Sequence, residues 1–135
     1  MIIEPHVRAA GGLMLVLAGL HLFFPRWLGW RADLAKLSLL NRQIFVVHTA
    51  FIVLVLVLMG LLSVAGTRML LDRSPLAGAV LAGFTLFWGV RLLVQIGYYD
   101  ERLWQGHAGR SVAHVVATLV WTYFTGVFAV ALLTR

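Results

Sequence analysis

Five side chains stand out in the apolar runs of this chain because they can do chemistry there: His21, His48, Arg91, Gln95 and His114. Asn41 and Arg42 stand just ahead of the run that carries His48. Polar side chains in hydrocarbon face a bundle interior or a cavity, because lipid offers them no partner. Two imidazoles on facing helices can be the axial ligands of a b-type haem. His48 and His114 are the candidates for that role, with Arg91 or Arg42 on the propionates through charge-assisted hydrogen bonds and Gln95 and Asn41 in the polar wall. Three imidazoles, His21, His48 and His114, suit a transition metal such as zinc, copper or iron. With no metal at all, Arg91 and the histidines could hold a quinone or a lipid headgroup. Without any cofactor, the same polar stripe could hold together an accessory subunit of a membrane complex.

The haem layout is similar in arrangement to that of membrane b-type cytochromes. One histidine per ligand helix allows one haem at most. A zinc hydrolase wants a general base beside the metal, and the nearest carboxylates, Asp100 and Glu101, fall outside the apolar runs. The imidazoles and the guanidinium therefore point to a redox-type cofactor before hydrolysis. The chain has no cysteine, which excludes disulfides, thiol chemistry and thiolate metal sites. It carries no GxGxxG, Walker, HExxH or GxSxG motif.

Each residue also has a plainer reading. Histidine or arginine near a helix end can reach the headgroups at little cost, and threonines on a helix can bond their own backbone. His6 and His107 read as solvated. Trp88, Trp104 and Trp121 read as belt or packing residues. Gly11, Gly12, Gly78 and Gly83 read as places where helices approach closely. The convergence of three histidines, an arginine and a glutamine at one depth is what favours a site.

The elements that position these residues follow from composition. Of 135 residues, 61% are hydrophobic and 12% charged, about half the charged share of a soluble domain. A water-soluble fold of this length cannot hide that much apolar surface, so the expected solvent is lipid. A membrane helix takes about 20 apolar residues, and four runs qualify: about 7–24, 44–66, 76–97 and 111–133. They predict an all-α integral membrane protein, a single domain over 1–135 built as an antiparallel four-helix bundle. Pro25 ends the first run, Ser74-Pro75 opens the third, and Ser111 is a candidate cap for the fourth. Residues 67–75 form a tight turn. Between the first two runs, Trp27, Trp30, Leu34 and Leu37 recur at helical spacing and predict an amphipathic helix over 26–40 at the headgroup level. Residues 98–110 mix aromatics and charges in the same interfacial manner.

Up-down threading brings His21, Arg91, Gln95, His48 and His114 within one or two turns of one membrane face. The stripes Asn41–Phe45–His48–Ile52, Phe84–Trp88–Arg91–Gln95–Tyr98 and Ser111–His114–Thr118–Thr122–Thr125, with Met14, Ala18 and His21 on the first helix, are expected to point at each other. The net charge of +6 reads as topology and headgroup contact, with membrane lipids as partners and no nucleic acid. Arg26, Arg31, Lys36, Arg42, Arg102 and Arg110 fall on one side, and Arg8, Arg68, Arg73 and Arg135 on the other. The positive-inside rule then places both termini outside, in a prokaryotic-type cytoplasmic membrane. The first run lacks a small-residue cleavage site and does not read as a cleaved signal.

Overall fold

The computed structural model describes residues 2–103 and 106–135, with the side chain of Glu101 excepted. Trp104, expected in the interfacial loop, lies outside the described residues. The described residues are helical and hold no strand. In order they form α1 (Ile3–Leu20), α2 (Phe24–Trp27), α3 (Trp30–Ala35), α4 (Leu39–Ala65), α5 (Thr67–Leu70), α6 (Pro75–Gly97), a 3-10 turn (Glu101–Leu103) and α7 (Ala108–Thr134). Three of these, α4, α6 and α7, are long and apolar enough to cross a membrane. Glu4, His6 and Arg8 stand in the first turns of α1 and shorten its apolar stretch, and it is not among the three.

The chain divides into two compact units: Arg8–Gly66, and the start of α1 through Val7 together with Thr67–Arg135. In the second of these, α6 and α7 pack as a hairpin. Phe84 meets Phe128 at 5.1 Å between ring centroids, and Trp88 meets Phe124 at 4.5 Å. Numbers that rise along α6 meet numbers that fall along α7, so the two helices run antiparallel. Each such edge-to-face pair contributes about 0.5–1.5 kcal/mol beyond its buried area. Ser74 caps α6 by accepting from the Ala77 amide at 3.2 Å, and Pro75 occupies the first turn. At the same end Arg135 donates to the carbonyls of Asp72 and Ser74 at 3.2 and 2.9 Å. Gly78 leaves the room for that side chain, since a Cβ there would strike the guanidinium.

In the Arg8–Gly66 unit, α1 and α4 meet through small residues. A Cβ on Gly11 would lie 2.7 Å from the Ser63 Cβ and 2.8 Å from the Gly60 carbonyl. Gly12 and Gly83, expected to serve the same purpose, face open space. Met14 and Ala18 are buried on one face of α1, as their spacing predicts. The stripe expected to be buried on α4 differs. Asn41, Phe45, His48 and Ile52 are exposed, and the buried positions are Leu56, Met59, Gly60 and Ser63, further along toward the other end. The small residues Gly60 and Ser63 set that contact, because in lipid close packing rather than polarity brings helices together.

Several boundaries move. α4 starts at Leu39, where Ser38 caps it by accepting from the Asn41 amide at 3.3 Å. α7 starts at Ala108 with His107 at its N-cap position. Ser111 is therefore inside the helix and donates to the His107 carbonyl at 3.3 Å. The expected turn over 67–75 contains the single helical turn α5. The expected continuous helix over 26–40 is two short ones, broken at Gly29, whose φ of 66° is left-handed. The break turns Trp27 outward and folds α3 back, so that Trp30 packs edge-on against Phe45 at 4.9 Å.

Candidate functional site

The α6–α7 hairpin gathers Arg91, Gln95 and His114, three of the residues expected from sequence. Arg91 lies about 9 Å from the end of α6, and His114 about 9 Å from the start of α7, at 1.5 Å rise per residue. Gln95 is buried, 4% exposed, between them. Its side-chain oxygen accepts from Arg91 Nη1 at 3.1 Å and from Trp121 Nε1 at 3.3 Å. Its amide nitrogen lies 2.8 Å from His114 Nδ1.

This network fixes protons by elimination. Guanidinium and indole N–H groups only donate, so the group of Gln95 that faces Arg91 and Trp121 must be the oxygen. The amide nitrogen, which also only donates, is left for His114. Nδ1 of His114 therefore accepts, and the neutral ring carries its hydrogen on Nε2. The side chain of Arg91 stacks as well. Its Cζ sits 5.1 Å from the Trp121 ring centroid and 5.8 Å from that of Tyr99. Such contacts take the place of a counter-ion, and no carboxylate pairs with Arg91 among the described residues. Below the network, Trp88 stacks on Trp121 at 5.0 Å and 20°. The Trp88 indole N–H is buried and has no acceptor among the described residues. On the other side of α6, Gly83, Leu86, Phe87, Val90 and Val94 line an apolar groove of about 480 Å³ that is bordered by Arg91.

The remaining threonines of the α7 stripe are spent on their own helix. Thr118 donates to the His114 carbonyl, Thr122 to Thr118 and Thr125 to Trp121, at 2.8–2.9 Å. Tyr98 ends α6 and is exposed. His6 is exposed but not merely solvated, since its Nδ1 lies 3.2 Å from the Tyr123 hydroxyl.

His21, His48 and Asn41 belong to the Arg8–Gly66 unit. His21 follows α1, and its Nδ1–H donates to the Leu17 carbonyl at 2.8 Å. His48 lies about 14 Å along α4 from Leu39, and its Nδ1–H donates to the Ile44 carbonyl at 2.9 Å. Both rings thus keep a lone pair on Nε2, the reverse of His114. Asn41 takes part in the α4 cap through its backbone amide. Among the described residues no group of three or more His, Cys, Asp or Glu side chains is placed to hold a metal ion. Sequence reading classed Trp121 as belt or packing, and its indole N–H proves to be part of the network. The signal in the sequence is its place seven residues after His114, which puts both on one face of α7. Outside the helices, Arg102 grips Asp100 with Nη2–Oδ2 at 2.6 Å and holds its carboxyl below the usual range.

Compared with protein-family models, curated proteins and solved structures, the chain matches none.

Proposed function

We propose that this chain is a four-span membrane protein that binds a membrane-soluble quinone at Arg91. In this reading α1 is the fourth span, α2 and α3 lie at the headgroup level, and both termini are outside. The observation that carries the reading is the guanidinium of Arg91, oriented by Gln95 at the border of an apolar groove on α6. A quinone has a flat ring with acceptor oxygens on an apolar tail. The tail suits the groove, and the oxygens suit N–H donors. Arg91 spends one of its five N–H groups on Gln95, and the aromatic faces of Trp121 and Tyr99 flank it. A quinone oxygen gains electron density on reduction, so a fixed cation beside it favours the reduced form.

A second reading, haem b or a transition metal on the histidines, is favoured by His21 and His48. Each donates Nδ1–H to a carbonyl and keeps Nε2 for a ligand, the arrangement that ligating imidazoles use. Extending that reading to His114 needs a lone pair on Nε2, where the Gln95 contact calls for a hydrogen. This is why the quinone reading is preferred. The plainest alternative is an accessory subunit in which the network only joins α6 to α7.

The test is a titration of the purified protein in lipid nanodiscs with a short-tailed quinone, read by tryptophan fluorescence. Arg91→Gln should weaken binding at least about tenfold, corresponding to about 1.4 kcal/mol, and His6→Ala should leave it unchanged. Wild-type protein that takes up no quinone, or an Arg91→Gln protein that binds as tightly, overturns the reading. A haem absorption band in the wild type that His48→Ala abolishes would select the second reading instead.

A further inference from the structure

We infer that the Arg8–Gly66 unit carries a site for an anionic phospholipid, with one acyl chain in the cavity between α3 and α4 and the phosphate on Arg31. This does not rest on the quinone reading, since it concerns residues of the other unit. The cavity holds about 400 Å³ and is lined by His21, Trp30, Arg31, Phe45, Thr49 and Ala50 among other, apolar residues. That volume lies within the range of small-molecule sites. It exists because Gly29 breaks the chain between α2 and α3 and folds Trp30 onto Phe45. The walls are half-buried at Trp30 and Leu34, while Arg31 is exposed, so Arg31 marks the mouth.

The polar inventory selects the occupant. Thr49 spends its hydroxyl on the Phe45 carbonyl at 2.9 Å. His21 spends Nδ1–H on Leu17 and offers only an acceptor nitrogen. Arg31 is then the one cation in the lining, and the indole N–H of Trp30 is the other donor there. Arg26, Lys36 and Arg42 are near Arg31 in sequence, and the acid among them, Asp33, is already paired with Lys36 at 3.0 Å. An apolar cavity with an uncompensated cation at its mouth fits an acyl chain that ends in an anionic headgroup. It does not fit a zwitterionic lipid equally well, because choline adds a positive charge beside Arg31.

The full chain is placed in phosphatidylcholine nanodiscs doped with phosphatidylglycerol whose acyl chains are brominated, or with brominated phosphatidylcholine. Quenching of Trp30 is read as the difference between the wild type and Trp30→Phe. Phosphatidylglycerol should quench about fivefold more effectively, as expected for roughly 1 kcal/mol per basic residue at an anionic surface. Arg31→Gln should remove that preference while both lipids still quench, and Arg26→Gln, outside the lining, should keep it. Ala50→Phe should fill the cavity and reduce quenching by both lipids. Equal quenching of the wild type by the two lipids, or an unchanged preference in Arg31→Gln, overturns the proposal. Arg31 is exposed, so its variant tests the site even where Ala50→Phe does not fold.

Discussion

Gln95 is the residue on which the α6–α7 hairpin depends for its polar contacts. One amide bonds a guanidinium, an indole and an imidazole. A buried donor or acceptor left without its partner costs about 1–3 kcal/mol. Gln95→Leu is similar in size and should cost about 2 kcal/mol or more by that reasoning. The measurement is reversible unfolding in mixed micelles. Thr122→Val, on an exposed position bonded to its own helix, should change stability by less than about 0.5 kcal/mol. Equal effects of the two substitutions would show that the network contributes nothing beyond local helix bonding. The role of Gln95 follows from being the one group there with both a donor and an acceptor end, and the sequence shows only that an amide lies one turn from Arg91.

At the scale of elements, the contact between α1 and α4 is decided by atoms that are missing. Gly11 places its backbone against Gly60 and Ser63, where a Cβ would fall inside contact distance of a backbone oxygen that cannot swing aside. Gly11→Ala should therefore push the two helices apart and destabilise the protein by about 1–3 kcal/mol. Its neighbour Gly12 meets nothing within 4 Å. Gly12→Ala should leave stability unchanged or raise it by up to about 1 kcal/mol, through helix propensity alone. Thermal melts of the two variants in one detergent compare them directly, and a Gly12→Ala variant as damaged as Gly11→Ala would contradict the geometry. Sequence alone ranks these neighbouring glycines together. The same holds for residues 26–40, where periodicity predicts one helix. Periodicity counts side chains, whereas Gly29 acts through its backbone, and its left-handed φ separates α2 from α3.

For the whole molecule, composition leads straight to a membrane. Large apolar side chains such as Leu58, Leu86, Leu93 and Leu119 are exposed along α4, α6 and α7, more surface than a soluble domain leaves open to water. The proposed four-span threading makes a prediction of sidedness. The chain has no cysteine, so single cysteines at Lys36 and Arg73 report cleanly. In sealed cells a membrane-impermeant maleimide should label Arg73→Cys and spare Lys36→Cys until the membrane is permeabilised. Labelling of both from outside would remove the positive-inside threading, and the reverse pattern would invert it.

What the residues determine by themselves is the helical class, three of the four expected runs as helices long and apolar enough to cross a membrane, and the stripe that carries Arg91 and Gln95. Hydrocarbon leaves the backbone no partner but itself, and a 3-4 spacing puts a polar pair on one face whatever surrounds it. The cap at Ser74-Pro75 belongs here too, because it is local chemistry. What only the tertiary structure decided is who meets whom. His114 looks like His48 in sequence, a lone imidazole in an apolar run. In the fold His114 accepts from Gln95 across the hairpin, and His48 donates to its own helix. Which ring nitrogen keeps a lone pair is set by that neighbour, and a partner on another helix is a long-range contact that no local pattern encodes.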